Sequence, residues 1–442
     1  MRACPPTPPN PTPPHPPRRS IDGFVANPRT GVVEAIVATA ARTEYVPLGA
    51  AGRRLVAELR RHAAALRLPE SAVALASRSH DDALWVLRAA ADASPSVFYL
   101  VAPYARASGP PRLLLAARPR LRGLPLARAE AVSIPARDGQ QLPAYLTLPL
   151  PTAHAAGGGG GARAPPPLVL LLHGGPSARD YAGYDPLVQM LAARAGVAVL
   201  QLNYRGSTGF GKRHLCLGNG DLPGMHADVE DARRWAVERG HADAARVGVV
   251  GASWGGYLSL GAATGIAPPA DGGAGSDAAR GAPLYAAVVA IVPVVTVGAA
   301  NTSTMHRGDP LVARYWRQLC GAEVSTDKAV AARLSPLHRL GRLQSPLMLV
   351  HGEQDPRVPR SHGDAVRDAA RGLGLSGLHL TYAREGHSIR RERNVLHLWS
   401  AVEIFLCQCL QLPPPPPLEC SVEGHTATLH WENGFPGIAA GM

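Results

Sequence analysis

Apolar positions follow two rhythms along the chain. From Ile21 to about Leu124 they come in short β-type runs, of which Ala83–Leu87 and Ser96–Val101 are the clearest, with one helical interruption over Leu55–Leu68. Ala131–Pro135 and Ala144–Leu148 flank Asp138-Gly139, which predicts a hairpin. Beyond that point strands and helices alternate. Leu168–Leu172 reads as a buried strand. A helix starts at Asp185-Pro186 and ends before Gly196, with Asp as N-cap, Pro at the first turn and Gly past the end. Val197–Tyr204 is a strand, and Asp228–Arg239 is an amphipathic helix with Val229, Ala232, Trp235 and Ala236 on one side. Further apolar runs, Arg246–Val250, Leu347–Val350 and Leu378–Tyr382, continue the alternation. Such a pattern predicts an α/β fold with a mostly parallel sheet covered on both faces.

The same pattern divides the chain. Residues 1–20 are proline-rich and predict a disordered leader. Residues 21–124 form the β-rich part and 125–412 the α/β part, while 413–442 open on a proline run and predict an irregular tail. Gly157–Gly161 and Pro268–Pro283 look like flexible insertions.

One strand ends in chemistry. Gly251-Ala252-Ser253-Trp254-Gly255 directly follows Arg246–Val250 and precedes a helix-capable stretch. A serine hydroxyl is a poor nucleophile unless it is exposed, aimed and next to a base. A tight strand-to-helix turn aims it, and flanking glycines let the chain turn without Cβ clashes. The N–H of Trp254, at the helix start, then faces an oxyanion forming on the substrate. Two further segments follow strands: His351-Gly352-Glu353-Gln354-Asp355-Pro356-Arg357 and Glu385-Gly386-His387. Ser, Asp, His is the chain order of α/β-hydrolase triads, and loops after strand ends are where such sheets carry their sites.

Composition narrows the alternatives. The 442 residues carry a formal charge of +12, with only two lysines, Lys212 and Lys328. The arginines are scattered and no aromatic-basic motif accompanies them, so nucleic acid is not an expected partner. No H-E-x-x-H occurs and the six cysteines show no zinc-type spacing, so neither a catalytic metal nor another cofactor is expected. Gly206–Lys212 imitates a phosphate-binding loop, but Arg213 stands where Ser or Thr would bind magnesium. No apolar run reaches 18 residues, so no membrane span is expected. The cysteine usage fits a reducing compartment and a cytoplasmic location. A plastid location is the alternative, because the N-terminus is acid-poor up to Asp22.

With these segments assembled, the chain resembles the prolyl oligopeptidase family of serine peptidases, nearest its acylaminoacyl-peptidase-like branch. The resemblance runs from about Leu124 to Leu412. It rests on Val132–Pro135 with Asp138-Gly139, on His173-Gly174-Gly175-Pro176, on Asn203-Tyr204-Arg205-Gly206-Ser207-Thr208-Gly209-Phe210-Gly211, and on the three segments above. It implies an α/β-hydrolase fold preceded by a partial β-propeller, since Ile21–Leu121 resembles only the last part of the family's propeller. At roughly 40–45 residues per blade, that stretch supplies at most about two blades.

The resemblance implies Ser253 as nucleophile, His387 as general base and acid, and Asp355 as orienter of the imidazole, with Glu353 as the rival to Asp355. It implies Gly175, or else Gly174, as an oxyanion donor beside the Trp254 N–H. Arg357 matches a position whose guanidinium holds a substrate carbonyl, a structural salt bridge being the alternative. The implied activity is hydrolysis of short peptides through an acyl-enzyme, with peptides as the only implied partners. A carboxylesterase and a non-catalytic α/β-hydrolase-fold binding protein are the alternatives. Oligomeric state is open.

Overall fold

The computed structural model describes residues 20–104, 109–150, 164–268, 283–298, 309–415 and 422–438. All but Ser20 of the proline-rich leader lies outside the described residues. So do Gly157–Gly161 and all of the second expected insertion except Pro268 and Pro283.

Two small antiparallel sheets come first. Strands β1 (Ser20–Ala26), β2 (Val33–Thr39) and β3 (Thr43–Pro47) form one. Strands β4 (Val73–Arg78), β5 (Trp85–Ala91), β6 (Ser94–Val101) and β7 (Arg112–Ala116) form a four-stranded meander of blade size. Helix α1 (Gly49–Ala65) lies between them in the chain. It packs Leu55, Val56, Leu59 and Ala63 with Ala35 of β2 and Val73, Trp85, Leu87 and Val101 of the second sheet. Only one of the two blades allowed by length therefore has four strands. The helix begins at Gly49 rather than at Leu55. Its first turn is held by a close fit, because a Cβ on Gly52 would overlap the Glu34 carbonyl oxygen. Two glycines in four residues do not read as a helix start, and tertiary contact overrides that weak propensity.

The main sheet has nine strands: β8 (Ala129–Pro135), β9 (Gln141–Thr147), β10 (Leu168–Leu172), β11 (Ala198–Leu202), β12 (Val247–Ala252), β13 (Ala287–Ile291), β14 (Leu347–Gly352), β15 (Gly377–Tyr382) and β16 (Ala427–Asn433). Their order is β16-β15-β14-β13-β12-β10-β11-β9-β8. The six strands from β15 to β11 run parallel, and the pairs at both edges are antiparallel. This is the expected α/β-hydrolase arrangement. The Asp138-Gly139 hairpin joins β8 to β9, with Gly139 at φ 81°.

The tail needs a correction. Within 413–442, β16 pairs along β15 from Gly377↔Asn433 to Tyr382↔Ala427, buries Trp431, and is followed by Phe435, which packs on Phe405. The hydrolase unit thus extends past residue 412. Ala427, Leu429 and Trp431 alternate with Thr428, His430 and Glu432 along this seven-residue edge strand, but the preceding proline run dominates the reading.

Helices cover both faces. Pro186–Gln189 (α2), which continues as a π-type turn over Met190–Arg194, is capped by Asp185. The Asp185 side chain accepts from the N–H groups of Leu187 and Val188. Gly211–Leu217 (α3) precedes Leu222–Glu238 (α4), capped by Asp221. The expected start at Asp228 falls in the middle of α4, where this buried carboxylate binds Arg205 instead of capping. Helices α4 and α5 (Trp254–Ala263) lie on one face, with Pro310–Cys320 (α6) and Ser361–Gly372 (α7); α2 and Glu392–Cys409 (α8) lie on the other. Among the described residues no helix is long and apolar enough to cross a membrane. Cys320, Cys407 and Cys409 are free thiols, whereas Cys216 is disulfide-bonded.

Candidate active site

Ser253 stands between β12 and α5 with φ 58° and ψ −115°. An L-residue held there stores roughly 1–3 kcal/mol of strain. The surroundings over-determine it. The Ser253 N–H donates to Ile291 O at 2.8 Å, and its carbonyl accepts from the Tyr257 N–H at 3.0 Å. The flanking glycines are required for contact. A Cβ on Gly251 would overlap the Gly255 carbonyl, and one on Gly255 would overlap the Leu172 carbonyl. Strand β10 therefore abuts the turn directly.

Asp355 and His387 come from the ends of β14 and β15, and their loops are stitched together. The Gln354 N–H donates to Glu385 O at 2.8 Å and the Glu353 N–H to Tyr382 O at 3.1 Å. A Cβ on Gly352 would run into the Gly386 carbonyl. The result is a hydrogen-bonded line. His387 Nδ1 lies 2.7 Å from Asp355 Oδ2, and His387 Nε2 lies 2.9 Å from Ser253 Oγ. A carboxylate only accepts, so Nδ1 carries the proton and bare Nε2 accepts the serine hydroxyl.

The other oxygen of Asp355 is fixed separately. Its Oδ1 accepts from the N–H groups of Arg357 at 2.8 Å and Val358 at 3.0 Å. Burial pulls the Asp355 pKa up. The hydrogen bond with His387 and those from the Val358 and Arg357 N–H groups outweigh it, and the pKa ends below the usual carboxylate value. Glu353 is engaged elsewhere, accepting from Thr381 Oγ1 at 3.0 Å and Arg360 Nη1 at 3.3 Å.

The remaining sequence candidates surround this line. Gly174 sits against the turn: a Cβ there would meet Ala252 O at 3.1 Å and Ser253 Cβ at 3.4 Å. Gly175 follows at φ 135°. The Trp254 N–H belongs to the first turn of α5, where helical N–H groups have no intrahelical acceptor. The Arg357 side chain is exposed and makes no ion pair among the described residues, so the salt-bridge alternative finds no partner there. Trp254 packs on Tyr257 and on Trp316 of α6, at ring distances of 4.6 and 5.6 Å.

Two supports were not read from the sequence. Glu385 accepts from the N–H groups of Arg390 and Arg391, both at 3.0 Å, and from Asn394 Nδ2 at 2.7 Å, and so folds the loop that carries His387. His351 Nε2 lies 3.1 Å from Val358 O and braces the loop of Asp355. Most of these partners are backbone atoms, which leave no residue-type signal. Among the described residues no cluster of three or more His, Cys, Asp or Glu side chains could hold a metal.

Fold and geometry together define an α/β-hydrolase with serine, histidine and aspartate in one hydrogen-bonded line. Residues 183–269 and 271–413, more than half of the chain, match the model of the prolyl oligopeptidase family, and the chain belongs to that family. It is 35% identical over 394 residues to dipeptidyl aminopeptidase BIII of Pseudoxanthomonas mexicana, covering 89% of this chain and 53% of that protein. It is 29% identical over 229 residues to the acylamino-acid-releasing enzyme of Mus musculus, covering 49% of this chain and 28% of that protein. A solved puromycin-hydrolyzing peptidase of Mycobacterium tuberculosis superposes with a TM-score of 0.69 at 21% identity, over 92% of this chain and 57% of that one. The chain spans about half the length of the first of these relatives.

Proposed function

We propose that the chain is a serine peptidase that hydrolyses short peptides close to their N-terminal end. The carrying observation is the line Ser253 Oγ–His387 Nε2 at 2.9 Å and His387 Nδ1–Asp355 Oδ2 at 2.7 Å. During attack His387 takes the hydroxyl proton as Ser253 Oγ bonds to the substrate carbonyl carbon. The imidazolium then returns that proton to the leaving amine, and water repeats the cycle on the acyl-enzyme. Asp355 holds the imidazole in this tautomer with Oδ2, while its Oδ1 is engaged by backbone N–H groups. The N–H groups of Gly175 and Trp254 receive the oxyanion. The exposed Arg357 guanidinium holds a substrate backbone carbonyl. Relatives named as a dipeptidyl aminopeptidase and an acylamino-acid-releasing enzyme support action near the N-terminal end.

The test combines fluorophosphonate labelling with turnover of a short-peptide library and matched esters. Labelling that Ser253→Ala abolishes, together with amide cleavage, is expected. Ester cleavage without amide cleavage, or no labelling at all, would overturn the reading.

A further inference from the structure

His173 and Ser207 lie beneath the proposed oxyanion site without belonging to the triad. His173 Nδ1 lies 2.8 Å from the Gly174 carbonyl oxygen, and its Nε2 lies 2.9 Å from Ser207 Oγ. The ring stacks on Tyr204 at 4.4 Å and 17°. The Tyr204 hydroxyl donates to the His173 carbonyl at 2.9 Å. Tyr204 and Ser207 are fully buried, so this clamp has little room to relax.

Elementary chemistry assigns the protons. A carbonyl oxygen only accepts, so the contact with Gly174 places the proton on Nδ1. Desolvation lowers the His173 pKa to about 4, and the ring is neutral at neutral pH. Nε2 is then an acceptor that the Ser207 hydroxyl serves. The one proton of that hydroxyl is shared in a three-centre bond with the Tyr204 carbonyl, to which Ser207 Oγ donates at 2.6 Å, and His214 Nε2 faces the same carbonyl at 3.1 Å.

The peptide that carries the Gly174 carbonyl is also the one that carries the Gly175 N–H. This peptide is trans, so its C=O and N–H point in opposite directions. Gly174 itself is packed against Ala252 and Ser253. We propose that His173 is a positioning residue for the oxyanion site: by holding the Gly174 carbonyl it turns the Gly175 N–H away from the ring and toward the carbonyl that Ser253 attacks. Ser207 and Tyr204 hold the ring in the required tautomer and plane. This couples the His173–Pro176 segment to the Asn203–Gly211 segment, and it rests on the serine-peptidase reading above.

The test uses the whole chain and His173→Ala, His173→Asn, Ser207→Ala and Ser253→Ala. An asparagine amide nitrogen occupies nearly the place of Nδ1 and still donates. His173→Ala is expected to lower kcat by about 10²-fold with KM within about twofold. Affinity for a peptide boronic acid, which forms a tetrahedral adduct with the serine, should fall in parallel. His173→Asn should recover most of both, and Ser207→Ala should show a weaker loss of the same kind. The pH profile of kcat/KM should keep its acidic limb, because the His387–Asp355 pair is untouched. Loss of kcat and KM together without asparagine rescue, or unchanged boronate affinity, would overturn the proposal. If His173→Ala does not fold, Ser207→Ala and His173→Asn decide it by the same kcat and boronate readouts. Full activity in Ser253→Ala would instead overturn the peptidase reading, which separates the two failures.

Discussion

Strands β14 and β7 are built from nearly the same material, Leu-Met-Leu-Val-His-Gly and Arg-Leu-Leu-Leu-Ala, and they end up in opposite surroundings. β14 is buried at every position, between β13 and β15 with helices on both faces. β7 is the last strand of its sheet, and Leu113, Leu114 and Leu115 are 44%, 42% and 54% exposed. Exposure of three consecutive leucines means that both faces of the strand are open. Apolar composition states a demand for cover, and only the neighbouring elements decide whether it is met. In the nine-stranded sheet the demand is met, and its strand ends carry a fixed site. In the four-stranded sheet it is unmet at the edge.

The strongest challenge to this contrast is functional. If the nine-stranded sheet holds a complete catalytic apparatus, Ser253→Ala and His387→Ala should each lower turnover of a short peptide by about 10⁴–10⁶-fold, and the double variant little further. Additive losses in steady-state kinetics would mean that the two residues do not act as a unit.

Stability gives the next largest effect. Leu349→Ala in β14 should cost about 2–5 kcal/mol in urea melts, through lost burial and the cavity left behind. Leu114→Ala in β7 should stay within about 0.5 kcal/mol. Equal costs would erase the distinction between the two strands.

Association comes third. An open leucine edge predicts self-association at micromolar concentration by light scattering. Leu113→Lys with Leu115→Lys should reduce the measured mass toward that of the monomer while peptide turnover stays unchanged. A wild-type chain that is already monomeric would refute this expectation.

The smallest effect concerns acid. The Asp355 pKa is lower in the fold than in the unfolded chain, so ionised Asp355 contributes stability that is fully present above about pH 4. It is lost as pH falls through the lower folded value. The stability gap between wild type and Asp355→Asn should therefore narrow below about pH 4 in thermal melts. A gap that widens on acidification would contradict the sign.

The regions differ in legibility for the same reason. β10 is readable from Leu168 to Leu172, because a continuous apolar run between turn signals leaves few other structures. The start of α2 is readable because Asp185 and Pro186 act on their own neighbours. The starts of α1 and α4 are not: Gly52 is helical through contact with Glu34, and Asp228 resembles a cap but serves Arg205. Strand β16 exists through its pairing with β15. At the site, Ser253, Asp355 and His387 stand out as chemistry in motifs, and the fold brings them within hydrogen-bonding reach. Glu385 and His351 act on backbone groups elsewhere in the chain, and no spacing rule announces that.

The turn at Ser253 has a consequence for how the chain would drift. At φ 58° a glycine is at ease where a serine is strained. Released from selection for catalysis, this position would therefore drift toward glycine and the fold would gain heat tolerance as the nucleophile vanished. A serine here runs against the conformational preference of its own backbone.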